Sequence, residues 1–470
     1  MRWSKFLLFC ITCASLCRAE PNPEYIAAQE IKKYERLGYD VAIYGYPLVM
    51  MNTYRQQFLA PKEGKFEINQ FAHQRRQPTP LDYEHFANID VLTSSAWLDV
   101  SREPLVLHIP PILKRYFLFE VFDGWTNCLA TIDATSPTDW LISGPEYDGT
   151  PPQDVSHLPS KSSLVYIRGI IQCFGPNDCE QIVPIQAGLT LTPLSQYGRS
   201  YTPPPITEPA SKLAATQEME GNIMNMPSEH FFNRFGALTK ANPPNSRDGQ
   251  IQAVMAKIGI KETSQFDIES IPYVVAEGIT ASWGCAREEI NCCYKSLFEK
   301  RNHWTTLVRK EADFGRDYTR RALFARASLP TSLAKNRLTF TVDSDKNGIR
   351  FNGWRSNSYV LRFKKKDLAL LGKLWSVTLV SDTDDNLVIN PINRYAIQSF
   401  ASSLQINPDG CCDILIQHAE PVCKLKNWLP CPRGNFVLIL RCYQPDDAVV
   451  DGCWSPPDVV SQDLFECNCT

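Results

Sequence analysis

The spacing of apolar residues changes twice along this chain, and that change of period limits the fold more than any other feature. Ile26, Ala27, Ile31, Tyr34, Leu37 and Val41 recur at spacings of one, three or four, which predicts a helix over 23–58 with Asn22 as cap and Pro23 at the first position. Pro47 is expected to break or kink it. From Leu105 the runs become short, aromatic or β-branched, and are punctuated by Pro, Gly and Asp: Leu105–Ile109, Tyr116–Asp123, Trp140–Ser143 and Leu164–Phe174 read as strands. Phe117, Phe119 and Val121 share one face of the second, while Tyr116, Leu118 and Phe122 are apolar on the other, so that strand is expected to be covered on both sides.

A Pro-rich stretch, Tyr201 to Pro209, reads as a linker. Residues 210–330 then return to helical spacing, with Phe231, Phe232, Phe235 and Leu238 in one stretch and further helices near 248–258 and 304–327. Strands resume at Leu338–Val342, Tyr359–Phe363, Trp375–Val380, Ile414–Gln417 and Phe436–Tyr443. The expected organisation is a signal peptide (1–19), an N-terminal helix plus first β domain (20–205), a helical region (206–330), a C-terminal β domain (331–460) and a cysteine-containing tail (461–470). With 44% apolar and 21% charged residues the chain is globular, and a net charge of -3 argues against nucleic acid as partner.

The first nineteen residues have the three parts of a secretory signal: Arg2 and Lys5, an apolar run from Phe6 to Leu16, and Cys17-Arg18-Ala19 as cleavage site. No later run is long and apolar enough for a membrane span, so the mature chain is expected to be secreted or held in the secretory lumen. Cys10, Cys13 and Cys17 would leave with the signal, so 14 of the 17 cysteines remain. Loss of Arg2, Lys5 and Arg18 takes the net charge from -3 to -6. In an oxidising compartment those cysteines read as up to seven disulfides, and Cys173 with Cys179, flanking Phe-Gly-Pro-Asn-Asp, reads as a pair pinning a hairpin loop. The sequon at Asn468 lies too near the terminus to rely on.

Familiar catalytic signatures are missing. There is no G-x-S-x-G elbow, H-E-x-x-H helix, phosphate loop or dinucleotide glycine pattern, and the histidines (73, 85, 108, 157, 230, 303, 418) show no metal spacing; no metal or cofactor is implied. Asp343-Ser-Asp345-Lys-Asn347-Gly348 resembles half a calcium loop but has Trp354 where a bidentate Glu is needed, and a hairpin turn is the better reading. Polar residues crowd elsewhere: Asn69, His73, Arg75, His85, Asn88, Asp90, Asp99 and Glu103 precede Arg115, Tyr116 and Asp123. A His beside a carboxylate can do acid–base work and an Arg can hold an anion; equally, such residues cap turns and pair with one another.

These residues carry a resemblance. Tyr44-Gly-Tyr-Pro-Leu-Val49, Asn69-Gln-Phe-Ala-His73, Asn88-Ile-Asp90, Ser95-Ala-Trp-Leu-Asp99, Glu103-Pro104, Arg115-Tyr116 and Asp123 to Asn127 resemble the domain of unknown function numbered twelve fifty-four. Phe314 to Tyr318, Trp375 to Thr378, Asn390-Pro-Ile-Asn-Arg-Tyr395, Asn427 to Pro430, Leu440 to Tyr443 and Trp454 to Pro457 resemble its companion numbered twelve fourteen. The resemblance implies a multi-domain, mainly β chain, with two β-sandwich or jelly-roll-like domains around a helical region, and supplies no activity. The family pattern after the Asn usually reads Asp-Thr and an aromatic, whereas Val91, Leu92 and Thr93 follow Asp90 here. That departure bears on any function kept at this point.

Two Arg–Tyr pairs, Arg115-Tyr116 and Arg394-Tyr395, sit after turns in the two β domains, and a cleft lined by both with Asn88 is the expected binding site. Trp375 and Trp428 read as packing residues. Two functions stay open. One is a secreted hydrolase or lyase acting on a small anionic or carbohydrate-like substrate, with Asp90 or His73 as acid or base and the arginines holding the anion. The other is a non-catalytic extracellular protein that binds a small molecule or glycan, or serves in the matrix. Oligomeric state is left open.

Overall fold

The protein is described from a computed structural model covering residues 22–59, 67–133, 139–204, 223–261, 266–354, 357–421 and 427–463. The signal-like start, most of the Pro-rich stretch, the C-terminal tail, and Cys10, Cys13, Cys17, Cys423, Cys467 and Cys469 lie outside the described residues. Helix makes up 32% and strand 27% of the chain, so the architecture is mixed α/β rather than mainly β. Two β regions are nonetheless separated by helices, as the change of period implies.

The first β region uses β1 (Phe71–His73), β2 (Val91–Asp99), β3 (Leu105–His108), β4 (Phe117–Asp123), β5 (Cys128–Ile132), β6 (Asp139–Ser143), β7 (Ser156–Pro159), β8 (Leu164–Gln172) and β9 (Thr190–Pro193). They form a sheet in the order β1-β2-β8-β4-β5 and a second in the order β7-β6-β3-β9. Leu98, Phe119, Val121 and Ile167 from one sheet meet Leu107, Ile142 and Leu191 from the other in a single buried cluster. The two sheets therefore face each other as a sandwich. Every residue of β4 is buried: Phe119 and Val121 point into the sandwich, while Leu118, Glu120 and Phe122 point outward.

Helix α1 (Pro23–Phe58) starts at Asn22, whose side chain accepts from the Glu24 amide at 3.0 Å, with Pro23 in the first turn. It continues through Pro47 instead of breaking there, and from Val41 to Thr53 it is buried on every side. Packing offsets the bond that Pro47 cannot make, and Arg321 donates to the Tyr44 carbonyl at 3.3 Å nearby. After α2 (Cys179–Gly188) come α3 (Ser228–Thr239), α4 (Gly249–Lys257), α5 (Tyr273–Cys293) and α6 (Tyr318–Ala327). Helices α1 and α5 cross with almost no gap: a Cβ on Gly38 would lie 2.5 Å from Ser282 Oγ, and one on Gly278 would lie 2.7 Å from the Ile31 carbonyl. The helical core also takes in Trp97, Phe122 and Tyr166 from the outer face of the first large sheet.

The second β region uses β10 (Phe298–Arg301), β11 (Trp304–Leu307), β12 (Arg337–Val342), β13 (Asn357–Phe363), β14 (Leu374–Ser381), β15 (Ala396–Gln398), β16 (Cys412–Gln417), β17 (Trp428–Pro430), β18 (Phe436–Tyr443) and β19 (Val459–Asp463). The sheets β10-β11-β12-β18-β14-β15 and β17-β16-β13-β19 share one core around Phe340, Leu361, Trp375, Ile414 and Leu438. The helix expected over 304–327 is strand β11 followed by α6, because Trp-Thr-Thr-Leu pairs with β10 and β12 before Gly315 turns the chain at φ 60°. The Asp343–Gly348 segment is a turn: Asp345 accepts from the amides of Asn347 and Ile349, and Gly348 has φ 76°. No helix among the described residues is long and apolar enough to cross a membrane.

The outer faces of the two large sheets meet. Val91, Leu118 and Ile170 pack on Leu374 and Tyr443. Near this contact Arg309, 1% exposed, ties distant loops by donating to the carbonyls of Glu311, Thr331, Thr126 and Ala312. Arg309→Ala takes the donor from all four, of which the Ala312 carbonyl keeps the Cys128 amide, and is expected to lower unfolding free energy by about 3 kcal/mol, with Arg309→Lys recovering only part of it. Urea denaturation measures both, and a loss under about 1 kcal/mol in the alanine variant would overturn the role as a staple.

Candidate functional site

Three of the residues singled out in the sequence converge where the two sandwiches meet. Asp90, immediately before β2, is fully buried, and its carboxylate accepts from Ser376 Oγ at 2.6 Å, Gln398 Nε2 at 2.8 Å and Tyr443 OH at 3.1 Å. All three donors come from the second sandwich. Asn88 reaches the same Tyr443 hydroxyl at 2.8 Å, and the Tyr116 ring packs edge-on against Tyr443 with centroids 5.8 Å apart. Burial and the Asp90 charge push the Tyr443 phenol well above its usual range, so it serves as a donor to that carboxylate.

The other candidates go elsewhere. Arg115 is committed within its own domain, to Asp178 through two bonds (2.6 and 3.0 Å) and to the Gln172 carbonyl, with Phe174 against its guanidinium. Arg394 donates to the Trp428 carbonyl at 2.9 Å, and the Tyr395 hydroxyl donates to Asn393. The expected cleft lined by both Arg–Tyr pairs is therefore corrected: Tyr116 reaches the junction, while the arginines brace local turns. His73 shares a bond with Ser94 at 2.9 Å and stacks on Phe71. Cys173 and Cys179 stand as two thiols with sulfurs 3.4 Å apart, well beyond the ~2.05 Å of a bonded pair, and no disulfide is present among the described residues. The hairpin expected there is not formed, because the chain after Cys179 winds into α2.

A second layer of the junction escaped the sequence reading. Glu120, 2% exposed, accepts from Arg168 Nη2 at 2.7 Å, Ser332 Oγ at 2.8 Å and Asn336 Nδ2 at 3.0 Å. Burial alone would raise its carboxyl, but the Arg168 charge and these bonds outweigh it and hold the group below the usual range. Arg168 also donates to the Pro330 carbonyl, and Arg441 is spent on Thr378 and the carbonyls of Phe86 and Ala87. A charged residue inside Phe117-Leu-Phe-Glu-Val-Phe122, and another inside Tyr166-Ile-Arg-Gly-Ile170, was the available signal, since a charge on a covered strand needs a partner.

Arg337 is different. It opens β12, opposite Tyr443 across the ladder, and its side chain makes no hydrogen bond or ion pair with any described residue. Burial and then the charge of Arg168 hold its guanidinium below the usual range, yet an arginine stays cationic in any protein setting. Beside it, the Tyr116 hydroxyl and Gln444 Oε1 are buried with no hydrogen-bond partner among the described residues. Two surface grooves lie elsewhere, one lined by Lys32, Glu35, Tyr39 and Cys285, the other by Ser296, Glu299, Asp317 and Arg320. Among the described residues no three His, Cys, Asp or Glu side chains are grouped to hold a metal ion.

Burial, and then the Arg75 charge, lower His73 from 6.5 to about 3. Between those values the unfolded chain binds the proton and the folded one does not, so stability rises with pH over that interval. The contribution is complete above about pH 6.5 and is lost as pH falls toward 3. His73→Gln is expected to flatten that slope by about one proton in urea titrations between pH 6.5 and 4, and an unchanged slope would contradict it.

Residues 68–193 match the family described as Protein of unknown function (DUF1254), and residues 336–447 match Protein of unknown function (DUF1214). No curated protein gives a significant sequence match. Among solved structures, the VPA0106 protein of Vibrio parahaemolyticus is 19% identical, with a TM-score of 0.71 over 92% of this chain and all of its own, and so shares the fold. A putative uncharacterized protein of Burkholderia cenocepacia is 10% identical, with a TM-score of 0.41 over 94% of this chain and 96% of its own. Asp90, Glu120 and Arg168 fall in the first matched region, and Arg337, Tyr443 and Gln444 in the second. The chain thus carries a DUF1254 region followed by a DUF1214 region, and the polar junction is the surface where the two are pressed together.

Proposed function

We propose that the protein is a non-catalytic binder of a small organic anion, held where the two sandwiches meet. One observation carries the reading: the Arg337 guanidinium and the Tyr116 hydroxyl lie together at the junction with no protein hydrogen-bond partner among the described residues. A shielded cation with no direct acceptor is costly even with the Glu120 charge nearby, and proteins keep such groups where a ligand supplies the missing acceptor. Both residues are half-buried, with the Tyr116 hydroxyl itself shielded from solvent. The signal-like first nineteen residues support a role in the secretory route or outside the cell.

The alternative of a hydrolase or lyase acting on a small anionic or carbohydrate-like substrate needs an acid and a base within about 3 Å of the reacting atom. Asp90 is fully buried and filled by three donors, and His73 is engaged with Ser94, a residue outside that set of donors. These separate commitments support binding over turnover. The junction is also shut on the side of Asp90 by Tyr443.

Isothermal calorimetry on the mature chain with acetate and with inorganic phosphate tests the reading. Saturable binding of one equivalent of either anion is expected, and its loss in Arg337→Met. The same substitution removes a half-buried charge that has no direct partner among the described residues, so the variant should melt at the same temperature or higher without anion. Failure of both anions to bind, or unchanged binding in the variant, would overturn it.

A further inference from the structure

We infer that the ligand is a monocarboxylate carrying a hydroxyl beside its acid group, and not a phosphate-like dianion. This deepens the anion-site reading and rests on it. The count of charges comes first. Arg168 is matched by Glu120, and Arg441 is engaged by two carbonyls and a threonine, which leaves Arg337, among the described residues, as the one cation at the junction without a hydrogen bond or ion pair. Arg337 offers one cationic fork to the acid group of a ligand. A second negative charge would face the fixed carboxylates around it: Glu120 below, Asp90 behind Tyr443, and Asp133 beside Tyr116. The flat guanidinium fork matches the two oxygens of a carboxylate, and the nearby Tyr116 hydroxyl is a further donor without an acceptor among the described residues.

Gln444 supplies the second half of the specificity. Its Nε2 lies 3.4 Å from Asp133 Oδ2, and because an ionised carboxylate only accepts, the amide nitrogen must be the atom facing it. That fixes Oε1 as the atom left over, and it is buried with no donor among the described residues. Gln444 follows Tyr443 directly, at the end of the strand pair that Arg337 opens, and its amide is anchored on the Asn336 carbonyl at 2.8 Å. The junction therefore offers a cationic fork and a hydroxyl donor for an acid group, with one acceptor awaiting a donor. A 2-hydroxy acid carries those complements on adjacent carbons. A bare carboxylate leaves Oε1 orphaned, and a phosphate brings an acceptor to it.

Calorimetric titrations with glycolate, acetate and inorganic phosphate at pH 8 separate these cases. Glycolate is expected to bind about tenfold tighter than acetate, the usual worth of one hydrogen bond to a buried polar atom, with phosphate weakest. Gln444→Met should bring glycolate down to the acetate level while acetate is unchanged. Gln444→Glu, which adds a negative charge at the same place, should weaken both carboxylates. Equal binding of glycolate and acetate, or tightest binding of phosphate, overturns the hydroxy-acid assignment and leaves an anion site standing. Binding of none of the three overturns the anion site as well.

Discussion

The ion pair between Glu120 and Arg168 is the constraint on which the arrangement depends. Each residue sits mid-strand on the outer face of the first large sheet, where both charges are removed from bulk water. Such a pair is weak as a source of stability, because the cost of desolvating two ions offsets most of their attraction. Its value is positional. Glu120 has more acceptor capacity than Arg168 can fill, and it draws in Ser332 and Asn336 from the segment leading into the second sandwich. Arg168 takes the Pro330 carbonyl from the same segment. The pair thus sets where β12 begins, and with it the place of Arg337.

Around that anchor the junction grades from apolar to polar. Leu118, Ile170 and Val91 meet Leu374 and Tyr443 in a dry patch, and the hydrogen-bonded groups of Asp90 and Glu120 lie around it. Both oxygens of each of those carboxylates are hydrogen-bonded, in the way buried polar networks must be if they are to specify one geometry. The departure occurs at Arg337, Tyr116 and Gln444, and that contrast gives the three residues their meaning. Unsatisfied groups in a loosely built surface would say little; beside two saturated carboxylates they mark a place with a different purpose.

Much of this fold was legible in the sequence because local rules governed it. The Asn22-Pro23 start of α1, the doubly covered β4, and the returning strands after Leu338 all follow from spacing and turn chemistry. Where the reading failed, tertiary packing had overridden a local preference. Pro47 lies inside a helix because that helix is enclosed on every side. Strand β2 was hidden by Thr93-Ser94-Ser95, polar residues that find partners in Gln74, His73 and Tyr166. At the candidate site, Asn88, Asp90 and Tyr116 were legible as polar residues near turns, and the structure brings them to one place. Their partners could not be, since nothing local says that Asp90 will meet Ser376 or that Glu120 will meet Asn336. Arg115 looked like a free cation only because Asp178 lies far along the chain.

The bond from Ser376 to Asp90 closes a loop of 286 residues. Closure of so long a loop adds little entropy cost beyond that of a shorter one, but the contacts that reward it exist only after both sheets are formed. The strand pairs inside each sandwich join much nearer parts of the chain. The junction is therefore a surface assembled from two finished layers and not a pocket carved into either. A chain that kept one region without the other would retain a β-sandwich and lose the place where Arg337 and Tyr116 meet, which ties the two halves to a common fate.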